Sequence, residues 1–312
     1  MQLSERIGRR LKLQDLHVLM TVIQAGSMGK AAERLNTSQP NVSRSISDLE
    51  RAFGVRLLDR LTRGVEPTAF GRALLDCGLA VFDDLRQGVK NIEHLADPTV
   101  GELRIGANHF LAASIVPAVI DRLAASHPGI TIHLVAGDGR SNLRKLKERE
   151  LDLLFAWKSP PYSEGSLAFE KLYEESLVIV AGARHPLTKR RKVRLAELLD
   201  EPWVLPEGDI GPVALSIFGS AGLEIPRGRV LCFSTDVRLM LLESGRFLTI
   251  SATSMLHLPK ERPEVKILPV DVKAPRVPIG IFTLKNRAVS PVAQLFSDYA
   301  REAAKRMTRI EK

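Results

Sequence analysis

The chain has 312 residues, of which 45% are hydrophobic and 26% charged, a composition that is typical of a globular protein with two or three domains and excludes disorder. No apolar run approaches about 18 residues, and the N-terminal segment lacks an apolar signal core, so we expect neither a membrane span nor export. The formal net charge of +9 admits a nucleic-acid partner, but residues 1–67 hold only 11 Lys/Arg against 7 Asp/Glu, so charge alone does not decide the function.

Two short helices are predicted near the N-terminus from apolar residues at helical spacing. The first covers about residues 16–23 and is broken at Ala25-Gly26-Ser27. The second covers about residues 31–35 and contains two alanines, which let a neighbouring helix approach closely. Asn36 then suits a tight turn, because asparagine tolerates a positive φ.

A third helix follows this turn and carries two different faces. Ser38 is its expected N-cap, and Pro40 is tolerated in the first turn, where its missing N–H would have no partner. One face is an apolar stripe formed by Val42, Ile46, Leu49 and Phe53. The other face is polar and mostly short-chained, and it comprises Gln39, Asn41, Ser43, Arg44 and Ser47. This order of helices and turn predicts a helix-turn-helix whose third helix enters a DNA major groove.

A small β wing and a long helix are predicted next. Residues 55–58 are the expected strand of the wing and residues 63–67 its turn. The long helix begins near its N-cap, Thr68, and ends before Asp97-Pro98. Its apolar positions alternate spacings of four and three, as in a coiled-coil seam, at residues 74, 78, 81, 85, 88, 92 and 95. Gly78 and Gly88 in this seam favour close approach of a partner helix, although packing on its own chain is the alternative.

From residue 100 onward, strand-like and helix-like segments alternate, which predicts parallel α/β units. In the first set, strands are expected at residues 103–107, 130–136 and 151–156, and helices at residues 112–125 and 142–149. In the second set, strands are expected at residues 176–181, 203–205, 228–232 and 247–250. A last strand at residues 278–283 and a last helix at residues 291–307 complete the α/β fold.

Five stretches of sequence carry a family likeness. They are L-K-L-Q-D-L-H-V-L from Leu11, A-G-S-M-G-K-A-A-E-R-L-N-T-S-Q-P-N-V-S-R-S-I-S-D-L-E from Ala25, G-V-R-L-L-D-R from Gly54, P-T-A-F-G-R from Pro67 and G-E-L-R-I-G from Gly101. Because of these stretches the chain closely resembles the LysR-type transcriptional regulators. The likeness is strong and specific over about the first 100 residues, and beyond them it lies mainly in the alternation of strands and helices. Gly29 and Leu58 depart mildly, since a capping hydroxyl and a phenylalanine are common there.

The resemblance implies three parts of the chain. Residues 1–67 would be a winged helix-turn-helix that binds DNA, and residues 68–98 a linker helix that forms dimers. Residues 99–312 would be an effector-binding domain similar to periplasmic binding proteins. That domain would have two α/β lobes joined by two crossover strands, with a small-molecule site in the cleft. Lobe I would cover about residues 99–174 and 278–312, and lobe II about residues 175–277.

The resemblance also implies the partners and the mode of action. The chain would be a cytoplasmic, sequence-specific regulator of transcription that binds double-stranded DNA. It would form homodimers, two of which would assemble as a homotetramer on interrupted palindromic sites. A small-molecule effector would modulate it, and RNA polymerase is a further candidate partner. No cofactor, metal or membrane is expected.

The predicted DNA contacts lie on the third helix and the wing. Gln39 can pair with adenine and Arg44 with guanine, while short polar side chains can contact bases or phosphates. The full set is Thr37, Ser38, Gln39, Pro40, Asn41, Ser43, Arg44, Arg60 and Arg63.

The predicted effector contacts follow the carboxyl ends of the strands, where ligands bind in open α/β sheets. They are Asn108, His109, Phe110, Gly139, Arg140, Trp157, Glu207, Ser234, Thr235 and Ser251. Phe110 and Gly139 stand where relatives often have a hydroxyl, which argues against a simple aromatic carboxylate as the ligand. By resemblance to regulators of sugar uptake and catabolism, the expected effector is a sugar or a small acid such as a sugar acid.

Three other classes of protein share some of these features. A dinucleotide-binding enzyme would need a third glycine after Gly137-Asp138-Gly139, but Asn142 stands in its place, and no catalytic or metal-binding constellation can be assembled. A solute-binding protein would match the C-terminal half but not the DNA-binding module. A redox sensor could use Cys77 and Cys232, which we instead expect to be small buried hydrophobes, reduced as is usual in the cytoplasm.

Overall fold

The computed structural model describes residues 11–61, 64–158, 162, 165–208, 210–228, 230–254, 264–271 and 276–310. The chain forms two compact units, residues 1–89 and residues 90–312, and the boundary between them falls inside a long helix. The first unit contains the expected helix-turn-helix, and the second is α/β as expected, although its sheet mixes parallel and antiparallel strands where parallel units were predicted.

Among the described residues before the wing, three helices pack around the core of the first unit. They are α1 (Leu13–Ala25), α2 (Met28–Arg34) and α3 (Gln39–Phe53). The hydroxyls of Ser27 and Ser38 cap α2 and α3 by accepting hydrogen bonds from the N–H groups of Lys30 (3.2 Å) and Asn41 (3.4 Å). Asn36 has a φ of 49° in the turn between α2 and α3, as predicted. The core of this unit includes Leu16, Leu19, Val22, Ala31, Val42, Ile46 and Leu49.

The wing is a two-stranded antiparallel hairpin of β1 (Leu58–Leu61) and β2 (Gly64–Pro67). The prediction of a strand over residues 55–58 and a turn over residues 63–67 was wrong. The Glu50 carboxylate accepts hydrogen bonds from the N–H groups of Leu57 (2.8 Å) and Leu58 (3.4 Å), which holds the chain after α3 in a loop. A Cβ at Gly64 would lie 2.5 Å from the Gly26 carbonyl oxygen, so only glycine lets β2 approach α1 this closely.

The long helix α4 spans Ala69–Ala96, and its N-cap is Thr68, whose hydroxyl accepts a hydrogen bond from the Gly71 N–H (3.0 Å). The predicted seam divides into two parts. A Cβ at Gly78 would lie 2.9 Å from Met20 Sδ of α1, so this glycine serves packing within its own chain, and the interpretation that it admits a partner helix was wrong. Gly88 has no atom within 4 Å of such a Cβ, and the later seam positions Leu85, Ile92 and Leu95 are exposed.

The second unit is built on one sheet. The strands of this sheet are β3 (Val100–Asn108), β4 (Gly129–Gly137), β5 (Leu153–Trp157), β6 (Leu167–Gly182), β9 (Leu248–Ala252), β10 (Val265–Ile267) and β11 (Arg276–Leu284). Strands β7 (Val204–Pro206) and β8 (Val230–Cys232) form a separate parallel pair. Within the described ranges the strand order is β10-β6-β11-β5-β3-β4, with β9 also paired to β6. Strand β3 is parallel to β4 and β5, as predicted, whereas β6 and β11 run antiparallel to their neighbours.

Strand β6 crosses the boundary predicted between lobe I and lobe II. Its residues 167–176 pair with β11, and its residues 177–181 pair with β9. The prediction of a strand over residues 176–181 therefore captured only its second part. Most residues of the first part are half-buried, so they lack the alternation of apolar and polar residues from which a strand is predicted.

In the described part of this unit, six helices flank these strands, together with 3₁₀ turns at Pro186–Lys189 and Leu195–Leu198. They are α5 (His109–Ala113), α6 (Ile115–Ser126), α7 (Gly139–Lys147), α8 (Ile210–Ser220), α9 (Thr235–Leu242) and α10 (Pro291–Ile310). The helix predicted at residues 112–125 is broken at Ser114, which leaves the helical region (φ −109°, ψ −91°). The break places Pro117 in the first turn of α6, where its missing N–H costs nothing. Helix α7 begins three residues earlier than predicted because Asp138 caps it.

A buried carboxylate joins three segments of the second unit. Asp152 Oδ2 accepts a hydrogen bond from the Arg104 N–H (2.9 Å), and Oδ1 lies 2.9 Å from Arg287 Nη2. Lys90 Nζ, near the end of α4, lies 3.5 Å from Asp152 Oδ2. The side chains of Asp152 and Arg287 are only 6% and 5% exposed. Asp152 thus ties the start of β5 to α4 and to the loop after β11.

We expect Asp152→Asn to lower the free energy of unfolding by about 3–5 kcal/mol, because it removes the carboxylate from a buried ion pair with Arg287 and a partly buried one with Lys90. Urea denaturation of the purified chain measures this change. The matched control is Asp271→Asn, which breaks an exposed pair with Lys192 and should change stability far less. Equal losses in the two variants would contradict the role assigned to Asp152.

Candidate functional site

Helix α3 presents the predicted DNA-contact residues on its exposed face. Val42, Ile46 and Leu49 are buried, so the opposite side of the helix faces solvent. Residues 37–41 and Arg44 are exposed, while Ser43 and Ser47 are half-buried. The Asn41 amide donates a hydrogen bond to the Thr37 hydroxyl (3.3 Å), and the Ser47 hydroxyl donates to the Ser43 carbonyl (2.9 Å).

Arginine side chains on α3 and the wing are free to contact a nucleic acid. Within the described residues, the Arg44 guanidinium makes no hydrogen bond or ion pair, in contrast to Arg51, which pairs with Asp48 (2.9 Å). Arg60 is exposed on β1, where its backbone pairs with Val65. The predicted contact Arg63 lies outside the described residues. An unpaired guanidinium on a short-chained helix face has the geometry needed to reach a base edge or a phosphate.

A pocket in the second unit brings together seven of the ten predicted effector contacts. The space among its walls is about 690 Å³, part of it open to solvent. The seven are Asn108, His109, Phe110, Trp157, Glu207, Thr235 and Ser251. They come from β3, α5 and β5 in the predicted lobe I, and from α9, β9 and the residue after β7 in the predicted lobe II. The pocket thus contains residues from both predicted lobes.

The other three predicted contacts do not line this pocket. Gly139 and Arg140 begin α7, and the Asp138 carboxylate accepts hydrogen bonds from the N–H groups of Arg140 (3.0 Å) and Ser141 (3.1 Å). The N–H groups expected to receive a ligand at this helix end are therefore already satisfied. The Ser234 hydroxyl accepts a hydrogen bond from the Val237 N–H (3.3 Å), so it caps α9.

Two residues from the lobe I side of the pocket carry buried donors. Asn108 Oδ1 accepts a hydrogen bond from the Leu111 N–H (3.0 Å) and caps α5, whereas its Nδ2 is buried and lacks an acceptor among the described residues. Trp157 Nε1 is likewise buried without an acceptor in that part of the chain. The rings of Phe110 and Trp157 lie 6.3 Å apart and form part of the wall.

The pocket also contains Arg238, which sequence reasoning missed. Its side chain is 5% exposed, and Nη1 and Nη2 donate to the Cys232 carbonyl (3.2 Å) and the Thr235 hydroxyl (3.3 Å). Nε is buried without an acceptor in the described chain. A helical spacing signal was available, because Thr235, Arg238, Leu239 and Leu242 share the buried face of α9.

Burial lowers the pKa of the Arg238 guanidinium from its usual value to about 10, because the charged form loses its hydration. At neutral pH the side chain therefore remains cationic. No carboxylate within the described residues pairs with it, since both of its hydrogen bonds go to neutral acceptors. The pocket wall therefore carries a buried cation, Arg238, as well as the buried carboxylate of Glu175.

The carboxylates in the pocket wall have other roles. Glu175 on β6 is buried, and its Oε1 accepts hydrogen bonds from the Thr253 hydroxyl (2.7 Å) and the Ser254 N–H (3.1 Å). Asp138 caps α7 as described, and Glu207 is exposed. The rest of the wall is largely apolar and includes Leu177, Ile210, Ala214, Phe233, Ile250, Val277 and Ile279.

Neither cysteine is buried, so the expectation that they are small buried hydrophobes was wrong. Cys77 is exposed on α4 and Cys232 is half-buried at the end of β8, and both are free thiols. Among the described residues, no group of His, Cys, Asp and Glu could hold a metal ion. No helix in that same part of the chain is long and apolar enough to cross a membrane.

Two family models match the chain and together cover most of it. Residues 13–72 match the model described as a bacterial regulatory helix-turn-helix protein of the lysR family. Residues 96–305 match the model of the LysR substrate binding domain.

Curated relatives align along almost the whole chain. The chain is 30% identical over 288 residues to the SDS degradation transcriptional activation protein of a Pseudomonas species, which covers 90% of this chain and 87% of the relative. It is 27% identical over 300 residues to the HTH-type transcriptional regulator PcaQ of Agrobacterium fabrum, with 96% of each chain covered.

Solved structures share the fold at lower identity. The crystal structure of CbnR, a LysR family transcriptional regulator, has a TM-score of 0.63 at 22% identity and covers 94% of this chain and 99% of its own. The crystal structure of HinK, a LysR family transcriptional regulator from Pseudomonas aeruginosa, has a TM-score of 0.58 at 20% identity and covers 95% of this chain and 99% of its own.

Proposed function

The chain belongs to the LysR family of DNA-binding transcriptional regulators with an effector-binding domain, and we propose that it recognises its operator through the exposed face of α3 and the β1–β2 hairpin. The observation that carries this proposal is the division of α3 into a fully buried apolar stripe and an exposed polar face. Residues 1–67 are the proposed DNA-binding domain, residues 68–98 the linker and residues 99–312 the effector-binding domain.

The proposed contacts divide into those that recognise bases and those that position the protein. Gln39 and Arg44 are assigned to base edges, because their amide and guanidinium groups match adenine and guanine bidentately. Phosphate contacts are assigned to the wing arginines Arg60 and Arg63. The short side chains that let α3 approach the groove are Thr37, Ser38, Pro40, Asn41 and Ser43.

The effector is proposed to act in the pocket between the lobes and to undergo no chemistry there. A ligand that binds both lobes favours one arrangement of them, and it can shift DNA affinity only by its preference for that arrangement. The pocket supports this proposal because both lobes contribute polar side chains to it, Asn108 and Trp157 from one and Thr235 and Arg238 from the other.

We expect Arg44→Ala to remove about 1–3 kcal/mol of discrimination between operator and random DNA while leaving the fold intact, because Arg44 is exposed and unpaired. Fluorescence anisotropy with the promoter region beside its own gene and with a scrambled duplex, at one salt concentration, measures this. The control is Arg44→Lys, which keeps the charge but loses the bidentate fork, so it should lose discrimination while retaining affinity for random DNA. Equal losses of Arg44→Ala on both duplexes would make Arg44 a phosphate contact.

A homodimer is proposed to form through the second half of α4. Leu85, Val89, Ile92 and Leu95 are 50%, 54%, 68% and 82% exposed, and they follow one another at helical spacing. Four large apolar side chains on one exposed helix face are typical of a surface that another copy covers. Two such dimers would form the homotetramer expected from the resemblance.

We expect Leu85→Asp to reduce the mass of the assembly in solution, because the new carboxylate would be buried without a partner in the helix pair. Light scattering coupled to size exclusion measures the mass. Arg86→Asp, one residue further and off the apolar face, should leave the mass unchanged. An unchanged mass for Leu85→Asp would place the dimer contact elsewhere.

A further inference from the structure

Three residues that line the same pocket carry buried donors without acceptors. They are Asn108 Nδ2, Trp157 Nε1 and Arg238 Nε, and each lacks a hydrogen-bond partner within the described chain. All three side chains are more than nine-tenths buried. Buried polar groups in native proteins are almost always hydrogen-bonded, and several exceptions at one cavity indicate a missing partner that accepts hydrogen bonds.

The Arg238 guanidinium points in the same direction, although Asp138, Glu175 and Glu207 also line the pocket. Arg238 remains cationic at neutral pH, and its two hydrogen bonds go to a carbonyl and a hydroxyl, neither of which carries a charge. The carboxylates of Glu175 and Asp138 already accept hydrogen bonds from Thr253, Ser254, Arg140 and Ser141. A buried guanidinium is satisfied best by a carboxylate, which it can bind through two parallel hydrogen bonds.

The walls define the rest of the ligand. Phe110, Leu177, Phe233, Ile250 and Ile279 offer apolar surface and no hydrogen bonds from their side chains. A neutral sugar carries hydroxyl groups around its whole ring and would leave several of them unpaired against such walls. A molecule with one polar end and an apolar body fits both parts of the lining.

We propose that the effector is an organic acid with an apolar body, whose carboxylate is bound by Arg238 of lobe II while Asn108 and Trp157 of lobe I donate to its other acceptor atoms. The inference rests on the proposed function, because it takes this pocket as the effector site. It keeps the acid of the earlier expectation but replaces the sugar body with an apolar one. It also readmits an aromatic acid, because Gly139 does not line the pocket and Phe110 adds apolar surface to it. Arg238 is then the residue that determines specificity. One ligand then contacts both lobes.

The test uses the full chain and three matched pairs of compounds. They are hexanoate with hexanamide, phenylacetate with phenylacetamide, and gluconate with glucose. Thermal shift at about 10 mM detects even ligands with millimolar dissociation constants, and calorimetric titration gives the affinity. We expect hexanoate or phenylacetate to raise Tm and bind, the matching amide to bind at least about tenfold more weakly, and gluconate and glucose to have little effect.

Variants identify the residue that binds the carboxylate. Arg238→Met should lower the affinity for the acid at least about tenfold, and Arg238→Lys, which keeps the charge, should lower it less. Arg246→Met makes the same substitution at an exposed lobe II arginine outside the pocket and should bind like the parent. Without ligand, Arg238→Met should not lower Tm, since it removes a buried charge that has no counter-charge. A merely structural arginine would lower it.

The outcomes separate the class of ligand from the site. The carboxylate assignment is overturned if an amide binds as tightly as its acid, if Arg238→Met binds the acid as Arg246→Met does, or if none of the compounds binds. If neutral compounds bind and Trp157→Phe lowers their affinity, the pocket remains the effector site and only the proposal that the effector is an acid is rejected. If a compound binds and neither Arg238→Met nor Trp157→Phe changes its affinity, the pocket itself, and with it that part of the proposed function, is wrong.

Discussion

The backbone pairing of β6 is the constraint on which the effector-binding unit depends. Its 16 residues must satisfy their N–H and C=O groups along their whole length. The chain achieves this by pairing residues 167–176 with β11 and residues 177–181 with β9. The pocket lies where one partner gives way to the other, with Glu175 opposite Val277 and Leu177 opposite Ala252 in its wall. A ligand in this pocket therefore acts at the strand that joins the two lobes.

Helix α3 solves a different problem, because one helix must both fold the domain and recognise a partner. Burying Val42, Ile46 and Leu49 contributes about 1.5–3 kcal/mol for each side chain, far more than exposed polar residues could. The caps at Ser38 and Gly54 fix where the helix begins and ends. Stability is thus supplied by the buried stripe and the ends, which leaves the exposed face free to carry residues chosen for binding.

Local patterns predicted those features that neighbouring residues decide. The left-handed Asn36, the cap at Ser38 and the stripe of α3 all depend on residues close in sequence, and all were predictable. Contacts between distant segments were not. The space beside Gly78 is filled by α1, a helix more than 50 residues earlier in the chain, so the role of this glycine could not be predicted from its neighbours in sequence. Leu57 lies in a loop because Glu50, on the preceding helix, binds its N–H, a contact that strand propensity does not anticipate.

The site residues show the same division, and Arg238 explains why. Helix N-termini were predicted as ligand sites, yet Asp138 and Ser234 already satisfy theirs, so the free binding capacity lies instead on a side chain inside the pocket. A buried guanidinium without a carboxylate costs stability in the ligand-free chain, and proteins retain such costs where function needs them. An anion that offsets this cost while contacting lobe I must favour one arrangement of the lobes. By linkage, DNA that prefers the same arrangement must strengthen binding of that anion by the same factor.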